Sequence, residues 1–185
     1  TITLELVPEN ASRIARLTNG ETHIVPNLPA DQLELVTDRG ENATVVEENV
    51  GRLFLYTSHT PDRPTSDAAF RLAIAHAVDR GALIDQVFDG AGRTNATYLA
   101  AGTPFHDEEL GATFGTEPDL ELAQQYLDEA GGGPDRPLEF VVTNQPDLIS
   151  AATVIQANLA ELGIEARVEV AEIVAFFPRL VTGDY

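Results

Sequence analysis

The four histidines are the side chains best able to ligate a metal or transfer a proton, and they lie far apart in the sequence. His23, His59, His76 and His106 are never four residues apart and never form an HExxH motif. Because a zinc site needs ligands that converge at about 2 Å, no local motif predicts one. His76 is expected to pack or to lie on the surface of a helix, whereas His59 ends a predicted strand and is a candidate for facing a cleft. The chain has no cysteine, which excludes disulfides, thiolate catalysis and Cys-ligated metals.

The remaining catalytic patterns are equally weak. Gly90-Ala91-Gly92 follows a predicted helix, not a strand, and lacks the Lys-Ser/Thr of a phosphate loop, which favours a helix end. No Gly-x-Ser-x-Gly nucleophile elbow occurs. Acidic pairs such as Glu47-Glu48 and Asp128-Glu129 are adjacent in sequence, so their side chains point in different directions and indicate a solvated acidic face. The sequence therefore predicts a protein that is not an enzyme and that uses no metal and no cofactor.

Charge is the most unusual global property of the chain. Thirty acidic residues oppose eleven basic ones, which are all arginine, and the net charge is −19. A surface of this density repels nucleic acid and anionic lipid, so neither is expected as a partner. Salt would screen the self-repulsion. The composition resembles that of proteins from salt-loving organisms, and a merely acidic protein is the alternative.

One stretch, Asp67–Gly92, organises the predicted elements. Its apolar spacing predicts two successive helices, with Ser66 as the cap of the first, Asp79 as the cap of the second, and glycines at the end. Gly51–Ser58 precedes it and is the strongest predicted strand, because it is rich in aliphatic and aromatic residues. Residues 93–118 show no sustained period and are expected to form a long loop that is functional or wraps a neighbour.

Short strands and helices alternate along the rest of the chain, which predicts an α/β fold. Further strands are expected at 2–6, 22–25, 43–46, 138–143 and 164–170, and further helices at 10–17, 30–36, 120–130, 146–162 and 173–181. A length of 185 residues allows one sizeable domain or two small ones. The best candidate crossing between two substructures is Glu48–Arg52.

Four stretches in order resemble the family 5 extracellular solute-binding proteins, the peptide/nickel type that serves ABC transporters. Residues 16–29, RLTNGETHIVPNLP, resemble a turn of that family, with His23 where Asp is usual. Residues 53–80, LFLYTSHTPDRPTSDAAFRLAIAHAVDR, resemble its hallmark, with His59 in place of Asn and Thr65 in place of Phe. DLELAQQYLDEAG at 119–131 and IQANLAELGI at 155–164 complete the pattern.

The resemblance covers the whole chain but only part of the family's length. It implies a lobe of the type II periplasmic-binding-protein fold, a mixed β-sheet flanked by helices, from a two-lobe protein. Residues 1–50 would be the end of lobe I and the approach to the hinge, and residues 51–185 most of lobe II. Asp67 and Arg71 are expected to pair at i,i+4 as part of the scaffold.

The same resemblance implies a function. The protein would be the extracellular or cell-surface component of an ABC importer, anchored to the membrane through a segment absent from this chain. It would bind a peptide-like or other small-molecule ligand between two lobes, as a monomer, and deliver it to ABC permease subunits. The alternative from the same fold is a sensory or regulatory ligand-binding domain, and a hydrolase is the third hypothesis.

Residues expected to face the ligand follow from the family pattern. Leu55 and Thr57 alternate with Phe54 and Tyr56, so one pair faces the cleft and the other the core, and the pattern favours Leu55 and Thr57. The full expected set of ligand-binding residues is Pro26, Asn27, Leu55, Thr57, His59, Phe88, Asn144 and Phe177. The two asparagines would bond peptide groups through their amides.

Overall fold

A computed structural model describes residues 1–26, 28, 32, 34–37 and 53–183 of the chain. The chain divides into two compact units, Thr1–Asn49 and Val50–Tyr185. The assignment of the two parts to lobe I and lobe II stays a prediction.

Two helices lie in the described part of the first unit. They are α1, Asn10–Thr18, and α2, Glu34–Thr37, and their buried residues are Ile14 and Val36. The predicted strands at 2–6 and 22–25 are wrong, because a strand requires a hydrogen-bonded neighbour and no described residue pairs with either segment. The apolar side chains of the first segment are accordingly exposed. The predicted strand at 43–46 lies outside the described residues.

The second unit carries the other six helices of the described chain and both of its strands. The elements are α3, Ala68–Ala77; α4, Arg80–Ala82, which continues as a π-helical turn over Leu83–Val87; α5, Glu108–Gly111; α6, Leu120–Glu129; β1, Leu138–Thr143; α7, Pro146–Glu161; β2, Ala166–Ala171; and α8, Ile173–Thr182. A short 3₁₀ turn at Pro64–Ser66 precedes α3. The alternation predicted from residue 119 onward is confirmed.

The core of the second unit is built on α3, which packs along α6. Phe70 of α3, Leu159 of α7 and Ile164 before β2 are its largest fully buried side chains. Small residues such as Ala73 and Ala123 are fully buried as well, and they let the helices approach closely. The apolar pattern of Asp67–Gly92 therefore describes a scaffold.

The ends of α3 differ in detail from the prediction. Asp67, not Ser66, caps the helix, since its carboxylate accepts a hydrogen bond from the Phe70 amide at 3.0 Å. Arg71 makes no ion pair with Asp67. Its guanidinium instead donates to the carbonyls of Thr65 and Ser66, both at 2.9 Å. The predicted cap of the next helix is confirmed, because Asp79 accepts from the Ala82 amide at 2.7 Å.

The two strands run parallel, with Leu138 opposite Ala166 and Thr143 opposite Ala171. The connection is α7, as a parallel pair requires, and α7 packs on both strands. The carboxyl ends of β1 and β2 therefore lie at the same edge.

The strand predicted at Gly51–Ser58 is wrong for its described part. Residues 53–58 pair with no other described segment. Leu53, Phe54, Leu55 and Tyr56 are all exposed. The aliphatic and aromatic composition is that of a buried strand, but hydrogen-bonded neighbours decide whether such a segment becomes one.

No helix among the described residues is long and apolar enough to cross a membrane.

Candidate functional site

Two predicted site residues that lie two positions apart, Thr57 and His59, are in contact. The Thr57 hydroxyl and His59 Nε2 lie 3.2 Å apart, within hydrogen-bond distance. His59 is exposed, and its Nδ1 has no hydrogen-bond partner in the described parts of the chain. This ring nitrogen is therefore available to bond a ligand.

Ser58, which lies between these two residues, is held in place by hydrogen bonds. It is buried, and its hydroxyl donates to the carbonyl of Gly183 at 3.2 Å and lies 3.1 Å from the Thr60 hydroxyl. The Thr65 hydroxyl in turn donates to the Ser58 carbonyl at 2.5 Å. These bonds hold Thr57 and His59 in place, which is what a preorganised binding residue requires.

Leu55 is 43% exposed, and its neighbours do not behave as expected. Phe54 and Tyr56 were predicted to face the core, yet they are 37% and 54% exposed. Their rings contact each other at 5.6 Å, and the Phe54 ring stacks on Tyr98 at 5.3 Å. The core-facing prediction for this pair is wrong, because both side chains remain exposed even though Tyr98 stacks on Phe54.

Asn144 directly follows β1 and is exposed. Its position is the carboxyl edge of the parallel pair, where α/β proteins place ligands. The preceding Thr143 is buried and accepts a hydrogen bond from the Gln145 side-chain amide at 3.1 Å. The side-chain amide of Asn144 makes no hydrogen bond to a described residue, so both its donor and its acceptor groups are free for a peptide group.

Phe88 closes the π-helical turn and is half-buried. After it, Asp89 and Gly90 adopt positive φ angles of 50° and 77°, and the Gly90 amide donates to the Ile84 carbonyl at 2.9 Å. This is a helix-ending turn, in agreement with the prediction for the glycines, and Phe88 lies at its base.

The other predicted site residues lie elsewhere. Phe177 is 55% exposed on α8, where its ring contacts Phe176 at 5.8 Å. Pro26, in the first unit, is exposed, and its carbonyl accepts from Arg13 at 3.0 Å. Asn27 lies outside the described residues. Among the described residues, no hydrogen bond or ring contact joins Phe88, Asn144 or Phe177 to the Thr57–His59 pair. The roles of all eight residues stay predictions.

The loop at 93–118 contains a hydrogen-bonded cluster that sequence reasoning missed. The Leu99 carbonyl is contacted by the Asn95 amide at 2.8 Å, the Thr97 hydroxyl at 2.6 Å and His106 Nδ1 at 2.9 Å. The Ala96 amide donates to the Gly111 carbonyl at 3.0 Å. Asn and Thr two residues apart were the available signal, since their side chains commonly bond nearby backbone.

His76 and Arg80 form a second cluster that the sequence did not predict. The His76 ring stacks on Tyr126 at 5.5 Å and meets the edge of Phe114 at 5.1 Å. The Arg80 guanidinium lies 4.6 Å from the centre of Phe114 and donates to the carbonyls of Ala75 and Val78. Burial lowers the pKa of Arg80. A cavity of about 340 Å³ adjoins this cluster. Because Arg80 satisfies one carbonyl in the last turn of α3 and one directly after it, the cluster has a structural role.

No group of three or more His, Asp or Glu side chains among the described residues could hold a metal ion. Among the described residues of the candidate set, His59 and Asn144 are exposed and each keeps a side-chain hydrogen-bonding group without a described partner. Imidazole and amide groups of this kind can bond the polar groups of a small molecule.

Comparison with known proteins gives the family that the sequence motifs resemble. Residues 1–185 match the family model described as bacterial extracellular solute-binding proteins, family 5 Middle. The dipeptide-binding protein of Escherichia coli K12 is 26% identical over all of this chain, which spans 35% of that protein. The chain thus covers about a third of the length of this curated relative.

Solved structures show the same fold. The binding protein AgaA of A. tumefaciens R10, in complex with agropinic acid, superposes with a TM-score of 0.71 at 24% identity, covering 96% of this chain and 36% of AgaA. DppA of Helicobacter pylori, in complex with the peptide STSA, gives 0.63 at 23% identity, covering 97% of this chain and 34% of DppA. The fold is that of a type II periplasmic binding protein. The chain belongs to the family 5 bacterial extracellular solute-binding proteins.

Proposed function

We propose that this protein is the solute-binding component of an ABC importer and captures a peptide-like ligand outside the cytoplasm. The match of the family model to all 185 residues carries the proposal. The dipeptide-binding relative supports the ligand class. The Helicobacter pylori DppA, an ABC transporter-associated periplasmic binding protein, favours transport over a sensory role. Delivery to ABC permease subunits, action as a monomer and anchoring to the membrane belong to the same proposal.

The second unit would supply one wall of the binding site through its exposed residues. His59 Nδ1 and the Asn144 amide would bond the main-chain groups of the peptide, while Leu55 would contact a side chain. Thr57 would act through His59, because it fixes the orientation of that ring. Each of these bonds exchanges a water partner for a ligand partner, so each contributes modestly, about 0.5–1.5 kcal/mol.

The net charge sets an expectation for ligand choice. With thirty acidic and eleven basic residues, the chain would favour neutral or cationic peptides over acidic ones. The preference would weaken at high ionic strength, because salt screens exposed charges.

Calorimetric titration tests the function. The natural gene product that carries these residues would be titrated with dipeptides, oligopeptides, sugars and Ni²⁺ chelates. A saturable heat with peptides, absent with sugars, is expected. Heat from a chelate or a sugar and none from any peptide would overturn the ligand assignment.

A further inference from the structure

Three asparagines of the chain begin the tripeptide Asn-x-Ser/Thr, which is the acceptor motif of N-linked glycosylation. They are Asn10, Asn42 and Asn95, and each is followed by alanine and then by serine or threonine. The chain holds eight asparagines, and about one residue in nine is serine or threonine, so about one such motif is expected by chance. Asn42 lies outside the described residues, and the structure distinguishes between the other two.

The side-chain amide of Asn95 is engaged within the loop at 93–118. Its nitrogen donates to the Leu99 carbonyl at 2.8 Å, and its oxygen accepts from the Thr97 amide at 3.1 Å and from the Thr97 hydroxyl at 2.9 Å. Asn95 and Thr97 are both half-buried, and a Cβ added at Gly111 would lie 3.2 Å from the Asn95 oxygen. A sugar on this nitrogen would disturb the packed cluster around Leu99, so the structure disfavours modification here.

The side-chain amide of Asn10 has its nitrogen free. Asn10 is the first residue of α1, and its Oδ1 accepts a hydrogen bond from the Arg13 guanidinium. Because arginine only donates, the amide nitrogen must point away from it. That nitrogen bonds to no residue that the structure describes, and it is not among the buried side-chain atoms that lack a partner there, which are the Nε atoms of Arg13 and Arg16. The Asn10 nitrogen is therefore open to solvent.

The chain around Asn10 is accessible as well. Residues 1–9 form no helix or strand, and Glu9, Ala11 and Ser12 are exposed. The first turn of a helix also frays readily. The two groups that a glycosyltransferase has to reach, the Asn10 amide and the Ser12 hydroxyl, thus lie on an open segment.

We propose that Asn10 is an N-glycosylation site of this protein. The amide nitrogen forms a bond to the anomeric carbon of an oligosaccharide that is activated on a lipid-linked phosphate. The bond from that carbon to the phosphate oxygen breaks, the lipid phosphate leaves with the bonding electrons, and the nitrogen gives up one proton. Oδ1 remains a carbonyl oxygen in the product, so its hydrogen bond from Arg13 survives. The inference rests on the proposed function for its location, because this motif is modified in secreted proteins.

Peptide mapping by mass spectrometry tests the proposal on the natural gene product, isolated from the organism that makes it. The same protein made in a host without the transferase gives the unmodified reference mass. Cleavage after arginine separates the two motifs, since one peptide ends at Arg13 and another begins at Thr94. The fraction of Asn10 that carries a glycan should exceed that of Asn95 about tenfold or more, because modification of Asn95 disturbs its hydrogen bonds.

Variants expressed in the same organism make the assignment specific. Asn10→Gln and Ser12→Ala should both abolish the glycan at this position, because the motif needs the amide and the hydroxyl. Ser12→Thr preserves the motif and should keep the glycan. Asn19→Gln is the matched control, since it changes an exposed asparagine of the same unit that lies outside any motif, and it should keep the glycan too.

Four results would overturn the proposal. An unmodified Asn10 in protein recovered outside the cytoplasm would exclude the glycosylation site and leave the transport function standing. An unmodified Asn10 in protein recovered only from the cytoplasm would overturn both. A glycan that persists in Ser12→Ala, or one that occupies Asn95 and spares Asn10, would also contradict the assignment.

Discussion

Two ten-residue helices of the second unit, α3 and α8, have opposite fates although both are rich in apolar residues. Four residues of α3 are buried, among them Phe70, whereas α8 has none. The difference lies in the partners, since α3 packs along α6 within the chain, whereas Val174 and Val181 of α8 are more than four-fifths exposed. Apolar composition predicts that one face of a helix will be buried. Burial also requires a packing partner, which α6 provides for α3.

The largest expected effect concerns α3, the buried helix of the two. Phe70→Ala should lower the free energy of unfolding of the 185-residue chain by about 3–5 kcal/mol, because it leaves a cavity at a site that is 1% exposed. Phe177→Ala in α8 is the control and should cost less than about 1 kcal/mol. Denaturant titration followed by circular dichroism measures both. Equal losses would show that α8 is packed as tightly as α3.

A second prediction extends the comparison to the loop at 93–118. A Cβ at Gly111 would lie 2.9 Å from His106 Cε1 and 3.2 Å from the Asn95 side-chain oxygen, whereas at Gly115 the nearest atom is 4.0 Å away. Gly111→Ala should therefore cost about 1–3 kcal/mol through overpacking, and Gly115→Ala almost nothing.

A double variant makes the Gly111 test specific. Adding His106→Ala to Gly111→Ala removes the contacts with the His106 ring and leaves the one with Asn95, so the two changes should cost less together than the sum of the single changes. Strict additivity in thermal unfolding would contradict the proposed contact.

A third prediction concerns the start of α3. Asp67→Ala should cost about 1 kcal/mol, since it removes the acceptor of the Phe70 amide, while Asp67→Asn should retain most of the stability. Ser66→Ala should be nearly neutral, because the Ser66 side chain does not cap the helix. Thermal melts of the three variants decide between the two residues, and a larger effect at Ser66 would reverse the assignment.

The smallest expected effect concerns the net charge of the chain, which acts on α3 and α8 alike. At a net charge of −19, raising KCl from low to molar concentration should increase the melting temperature by a few degrees through screening. A melting temperature that does not change with KCl or NaCl would remove the argument for adaptation to salt.

Local signals allowed much of this fold to be predicted. The spacing of Ala73 and Ala77 located α3, Asp79 identified a cap, and the alternation after residue 119 gave the helices and strands in the right order. These features depend on residues close in sequence, so one sequence is enough to specify them.

The errors came from long-range partners. Segments 2–6 and 53–58 have the composition of strands, but whether such segments pair depends on residues distant in sequence. The stack of His76 on Tyr126 was missed for the same reason, because side chains brought together by folding leave no local period. The cluster around Leu99 differs, since Asn95 and Thr97 lie close to Leu99 in sequence and their spacing was an available signal. The candidate site could be predicted only in part for the same reason. Among its described residues, local geometry brings only Thr57 and His59 into contact.

Helix α3 is scaffold of the second unit, whereas the proposed ligand contacts His59 and Asn144 are exposed and lie outside that helix. The most direct test is the peptide affinity, measured by calorimetry, of two variants of the natural gene product at a temperature where both are folded. His59→Ala should weaken binding about tenfold through a lost hydrogen bond, and Leu127→Ala in the core should change affinity less than about twofold while lowering stability. Unchanged affinity in His59→Ala together with a large loss of affinity in Leu127→Ala would contradict the roles of His59 as a ligand contact and of the core as scaffold.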